Sequence, residues 1–172
     1  MLQLATQNDL ENVMEIINEA KLYLRMQNSK QWNLDDGYPS DLDILRDIKN
    51  KTCYLYIENN EIIGTMSIIF TPDENYYDID GKWLTNDNYA SIHRIAIKNN
   101  HHNKGIGAKM LLEAEKIVKS NNIYSIKIDT HKINIPMIKT LIKAGYTYCG
   151  IITLKRSNID NLRNAYEKKL AK

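Results

Sequence analysis

No stretch of the sequence approaches the roughly 18 consecutive apolar residues that a membrane-spanning helix requires. The opening run Met1-Leu2-Gln3-Leu4-Ala5-Thr6 also lacks the basic flank of a secretion signal, so neither membrane insertion nor export is expected. Cysteine is scarce: Cys53 and Cys149 stand apart, without CxxC spacing, each inside an apolar run. That suits buried reduced thiols better than a disulfide or a zinc site, and a cytoplasmic setting is the simplest reading. An excess of one charge is missing too. The 23 basic and 21 acidic residues leave a net +2 without a long run of either sign, so a nucleic-acid partner held by charge is not expected. GxxxxGK[ST], GxSxG and HExxH are all absent, which removes P-loop, elbow-serine and zinc-protease chemistry; no bound metal is expected. No internal repeat, low-complexity tract or linker interrupts the 172 residues, a length that suits one domain, residues 1–172.

What is present is a regular alternation of short elements. Thr6-Gln7-Asn8-Asp9 and Ser40-Asp41-Leu42-Asp43 have capping-box form, and apolar residues recur at helical spacing behind each. The loop between these two helices holds Trp32 and Tyr38. Two β-rich runs, Thr52 to Glu58 and Glu61 to Phe70, flank Asn59-Asn60 as a hairpin. A polar, locally acidic excursion from Thr71 to Asn88 follows, with Asp78 among its carboxylates and Tyr76, Tyr77 and Trp83 interleaved. Further strands are expected over Tyr89 to Ile97, Tyr124 to Thr130, Tyr146 to Leu154 and Asn161 to Lys168, and helices over Gly105 to about Ser120 and Pro136 to Ala144. Hairpins mixed with two strand–helix–strand crossovers predict an α/β (mixed α+β) fold with a mixed sheet.

Gly105 and Gly107 open a helix directly after a strand. Small residues at a helix start expose main-chain N–H donors where the dipole adds roughly half a positive charge, so an anion, most naturally a phosphate, is the expected guest. Lys104 and His101 or His102 could add charge; a turn that merely permits tight helix packing is the plainer alternative. A dinucleotide-binding oxidoreductase of Rossmann type is a weaker contender, because Met110 stands where the third glycine of GxGxxG belongs.

The run IHRIAIKNNHHNKGIGAKML resembles the acyl-CoA segment of GNAT-type N-acetyltransferases, a strand followed by [Q/R]-x-x-G-x-[G/A] and a helix. His102 to Gly107 fills that pattern, with His102 in the Gln/Arg place. DTHKINIPMIKTLIKAGYTYCGII resembles the family's second cofactor segment, with Asn134, Met137, Leu141, Lys143, Gly145 and Tyr146 in register. Leu141 takes the place of the family's usual tyrosine and Tyr146 that of its phenylalanine. The resemblance spans about Tyr89 to Ile152. It implies a splayed mixed sheet of about six to seven strands with about four helices, opening between Ile95–Ile97 and Ile126–Thr130 to hold acetyl-CoA as cosubstrate. The pantetheine arm would pair with the main chain of Ile95, Ala96 and Ile97. The pyrophosphate would sit on Asn103, Lys104, Gly105, Ile106, Gly107 and Ala108, with His102, Asn134 and Met137 alongside.

The activity so implied is acetyl-CoA-dependent transfer to a primary amine, which needs a base for the ammonium proton. Strand alternation puts Tyr89, Ser91, His93 and Ile95 on one face, making His93 the best base and Tyr89 its substitute. A histidine simply hydrogen-bonded within the sheet is the alternative. Arg94 should face away and anchor a carboxylate. Trp32, Tyr38 and Asp78 are expected to form an aromatic, acidic rim for a small cationic acceptor, unless that loop is only solvated surface. A protein or peptide amine and a homodimer stay open, as does a non-catalytic acyl-CoA sensor of the same fold.

Overall fold

A computed structural model describes residues 1–32, 37–156 and 160–172; part of the Trp32–Tyr38 loop expected to face the acceptor therefore lies outside the described residues. Among the described residues, eight strands form one sheet: β1 (Leu2–Leu4), β2 (Cys53–Glu58), β3 (Glu61–Ile69), β4 (Ile79–Gly81), β5 (Ala90–Ile97), β6 (Ser125–Thr130), β7 (Thr147–Thr153) and β8 (Leu162–Lys169). Four helices flank it: α1 (Leu10–Met26), α2 (Asp41–Lys49), α3 (Ile106–Ser120) and α4 (Ile135–Lys143). The expected six to seven strands become eight because β4 lies hidden in the polar excursion, where three residues pair antiparallel with β7.

Local chemistry accounts for the elements. The Asp43 carboxylate accepts from the Ser40 amide at 2.9 Å while the Ser40 hydroxyl accepts from the Asp43 amide at 3.3 Å, closing the predicted capping box of α2. Asn59 and Asn60 both take positive φ, 52° and 63°, the conformation a tight two-residue hairpin between β2 and β3 demands. Asn134 caps α4, its side chain accepting from the Met137 amide at 3.4 Å, with Pro136 in the first turn.

The sheet order is β1-β2-β3-β5-β6-β8-β7-β4. Every pairing is antiparallel except β5 with β6, which excludes the doubly wound parallel sheet of the Rossmann alternative. Ile16, Ile17 and Ile44 of α1 and α2 cover one face against Cys53, Leu55 and Ala96. Met110, Leu111, Ala114 and Val118 of α3, with Leu141 of α4, cover the other against Met66, Ile92, Ile126 and Ile128. Both cysteines are buried and free, and burial pushes the Cys53 thiol up to about 11, against the reactivity of a thiolate.

The decisive feature lies in the middle of the sheet. β5 pairs with β6 only at Ala90 and Ser91, after which the two strands part. The rest of β5 keeps β3 on one side and presents its other edge, with main-chain N–H and C=O groups, to the gap.

Candidate active site

The gap is a cleft of about 1110 Å³. One wall is β5 from Ile92 to Ile97; the other combines the end of β6 with the N-termini of α3 and α4. Of the residues expected to hold acetyl-CoA, Ile95, Ala96, Ile97, His102, Asn103, Gly105, Ile106, Gly107, Ala108, Asn134 and Met137 all line it. Lys104 is exposed and is not among the lining residues; Lys139 and Lys143, spaced one turn apart on α4, bring the positive charge instead.

The two glycines of the loop do different things. Gly105 is the N-cap of α3 in the left-handed region, φ 74°, with open space where a Cβ would stand. Gly107 is buried, and a Cβ there would meet Thr140 Cγ2 at 3.0 Å, so it serves the packing of α3 against α4. The first amides of α3 have no intrahelical acceptor, and the Gly105 cap offers no side chain to satisfy them. His102 keeps the loop in place: its Nε2 lies 3.0 Å from the Ile97 carbonyl, and its ring meets Tyr23 edge-on, centroids 4.8 Å apart. An anionic group fits this cradle by the chemistry of its donors.

Deeper in the cleft a cluster assembles from distant segments. His93 Nε2 lies 3.2 Å from Asp73 Oδ2, and His93 Nδ1 lies 3.9 Å from Asp129 Oδ2. Tyr76, almost fully buried, donates its hydroxyl to Asp129 Oδ2 at 2.8 Å. Burial, then the charges of Asp129 and Asp73, hold the Tyr76 phenol well above its usual range, so it stays a donor. Burial opposes ionisation of Asp73, but hydrogen bonds from His93 and from the amide and side chain of Asn75 outweigh it and lower the carboxyl below its ordinary value. Tyr76, Asp73 and Asp129 were not singled out as site residues from sequence. For Asp73 and Tyr76 the local signal was the acidic, aromatic excursion; Asp129 lies outside it, near the end of β6.

The strand alternation expected along β5 does not hold. Arg94 takes φ 51°, and the register with β3 slips between Ser67–His93 and Thr65–Ala96, a bulge that sets two residues against Met66. His93 therefore shares the face of Ser67 and α2, whereas Ile95 packs with the α3 cluster, on the opposite side. Arg94 is turned toward that same Ser67. It donates to Asp47 Oδ2 from Nε and Nη2, each at 2.6 Å, and to the Tyr38 hydroxyl at 2.8 Å, while Ser67 donates to Asp47 at 2.6 Å. The carboxylate anchor expected for Arg94 is thus Asp47.

The remaining sequence candidates divide. Trp32 and Tyr38 line the cleft. Asp78 does not: it is exposed beside β4 at the outer edge of the sheet, in a separate shallow depression with Ile151 and Leu162, because β4 pairs away from the cleft. Tyr89 also lies outside the lining. Its hydroxyl accepts from the Asp73 amide at 3.0 Å, its ring carries Lys127 Nζ at 4.0 Å, and burial, opposed by that amide, raises its phenol. Leu141, at the place of the usual tyrosine, is fully buried in the core. Among the described residues no helix is long and apolar enough to cross a membrane, and no group of three or more His, Cys, Asp or Glu side chains could hold a metal ion.

A mixed sheet that parts at its one parallel pair, beside a helix start that suits an anion, is an arrangement this chain shares with a known family. The sequence model of the acetyltransferase (GNAT) family matches residues 12–146, and the chain belongs to that family. It is 32% identical to the GNAT-family acetyltransferase from Streptococcus agalactiae, with a TM-score of 0.90 over 100% of this chain and 96% of that one. The PaiA N-acetyltransferase from Thermoplasma acidophilum, solved in complex with coenzyme A, shares the fold at 19% identity, TM-score 0.71, covering 98% of each chain. Among curated proteins, the streptothricin acetyltransferase of Escherichia coli is 25% identical over 103 residues, 60% of this chain and 51% of that protein. The chain thus aligns with about half the length of that curated relative.

Proposed function

We propose that this chain is an acetyl-CoA-dependent N-acetyltransferase that passes the acetyl group directly to the primary amine of a small molecule bound in the same cleft. The observation that carries the reading is the parting of β5 from β6 beside the N-terminus of α3. It leaves a strand edge for an amide-bearing arm and a helix start for a pyrophosphate in one continuous cleft. Ile95, Ala96 and Ile97 would hold the arm, and Asn103 to Ala108, with Lys139 and Lys143, the phosphates. Bound there, acetyl-CoA supplies the activated acyl carbon.

His93 is the base in this reading. With Asp73 ionised, the 3.2 Å contact makes Nε2 a donor, which leaves Nδ1 with the lone pair. The 3.9 Å between Nδ1 and Asp129 is too long for a hydrogen bond and leaves that lone pair uncommitted. The ammonium of a small cationic acceptor, attracted by Asp129 and Asp73, gives its proton to Nδ1. The freed nitrogen lone pair attacks the thioester carbon, the C–S bond breaks, and its electron pair leaves on sulfur. A main-chain N–H of β5 would face the oxygen as it gains charge. As the thiolate leaves, the nitrogen sheds its second proton to solvent; Leu141 has no proton to give, so solvent also protonates the thiolate.

Thermal shift with acetyl-CoA and with NAD, followed by thiol release over a panel of primary amines, tests the reading. Acetyl-CoA should raise the Tm, NAD should not, and at least one amine should release thiol well above the enzyme-free rate.

A further inference from the structure

Among the described residues, two arginines on the acceptor side of the cleft form no ion pair with a carboxylate. Arg163 of β8 lines the cleft although only 6% of it is exposed. Its Nη1 donates to the backbone carbonyls of Asp160 and Leu162, both at 2.8 Å; its other N–H donors meet no protein acceptor among the described residues. Arg156, exposed at the mouth, places its guanidinium carbon over the Tyr38 ring, 3.3 Å from the centroid, and makes no ion pair among the described residues. The nearby carboxylates are committed elsewhere. Asp160 is held by His131 at 2.8 Å, Asp129 by Tyr76, Asp47 by Arg94 and Asp73 by His93. A buried guanidinium without a directly paired carboxylate is costly, and a ligand carboxylate would relieve that cost. Burial lowers the Arg163 guanidinium below its usual range; Asp129 and Asp160 offset part of this and Arg156 adds to it.

The register relates this cation to the proposed amine site. Asp129 faces Ala165 across β6 and β8, and Arg163, two residues along, shares that face. Such diagonal positions lie roughly 7–8 Å apart, a span that one small molecule bridges.

We propose that the acceptor is a zwitterion of the amino-acid class: its ammonium meets His93 and Asp129, and its carboxylate meets Arg163, with Arg156 at the mouth. This rests on the acetyltransferase reading above and narrows it, since a polyamine would leave both arginines uncompensated. The planar guanidinium suits a carboxylate, which it can grip with two parallel hydrogen bonds.

Matched acceptors test the proposal by thiol release: phenylalanine against phenethylamine, lysine against cadaverine, and 4-aminobutyrate against propylamine. The carboxylate-bearing partner should have a kcat/KM at least about tenfold higher in one or more pairs, the worth of one charge-assisted hydrogen bond. Arg163→Gln should erase that preference mainly through KM, and Arg163→Lys should keep part of it. Should Arg163→Gln fail to fold by circular dichroism, Arg156→Gln, at an exposed position, should cut the preference several-fold. Decarboxylated amines turned over equally well or better, or a preference that survives both substitutions, would overturn the proposal while leaving the acetyltransferase reading standing. Acetyl-CoA binding with no turnover of any amine would overturn both.

Discussion

His93 Nε2 and Asp73 Oδ2 meet at 3.2 Å, and Asn75 holds the other oxygen of the same carboxylate at 2.7 and 2.9 Å. A carboxylate fixed at both ends favours the imidazole tautomer with hydrogen on Nε2 and the lone pair on Nδ1. His93→Ala should lower kcat by roughly 10²–10⁴ while acetyl-CoA affinity changes little, because the cofactor is held by main chain in this account. Asp73→Asn should reproduce a large part of that loss. A His93→Ala enzyme that turns over at the parent rate, with an unaltered pH profile, removes the imidazole from the chemistry.

The lowered Asp73 carboxyl has a thermodynamic consequence. A carboxyl more acidic in the folded than in the unfolded chain binds fewer protons when folded, so its stabilising contribution is complete above the ordinary carboxylate range. That contribution disappears as pH falls from that range through the lowered folded value. Urea midpoints of the parent and of Asp73→Asn should therefore converge on acidification below the ordinary range. Curves that stay parallel down to that pH would show the carboxylate contributes nothing through its ionisation.

The arginine at the bulge, Arg94, is held by Asp47. Both side chains are nearly out of solvent, at 9% and 5% exposure, so removing one partner strands a buried charge. Asp47→Ala is expected to cost about 3–5 kcal/mol in denaturant unfolding. It should also raise the acceptor KM, because Arg94 and Tyr38 are cleft residues. A loss below about 1 kcal/mol, the range of an exposed pair, would contradict the buried reading.

Gly105 and Gly107 are not equivalent probes of the phosphate cradle. Gly107 sits against Thr140, so any side chain there disturbs the contact of α3 with α4. Gly105 faces open space, and a residue there costs only the left-handed backbone strain of about 1–2 kcal/mol. Gly105→Glu should fold and bind acetyl-CoA at least tenfold more weakly by calorimetry, since its carboxylate adds like charge at the anion site. Unchanged affinity in the folded variant would remove the cradle.

Much of the cleft lining along β5 and the starts of α3 and α4 was legible because its signals are local. A glycine pair at a helix start, a capping asparagine before proline and apolar periodicity are written within a few residues of where they act, and Gly105, Asn134 and β5 appear as read. β4 escaped because it is three residues held by a close approach of Gly81 to Gly150, whose partner lies almost seventy positions away in sequence. The face of His93 relative to Ile95 was misread because an arginine at positive φ gives no local sign of a bulge. Asp73, Tyr76 and Asp129 meet only through tertiary folding, as do Arg156 and Arg163 at the cleft, and no spacing rule brings such positions together.

The account stands most directly on one measurement: incubation with acetyl-CoA and the amine panel, following thiol release and product mass together. It predicts stoichiometric release of free thiol and of an amine heavier by one acetyl group, with both lost together in His93→Ala. Tight binding of acetyl-CoA with thiol release no faster than in the absence of protein, the behaviour of an acyl-CoA sensor, would contradict it.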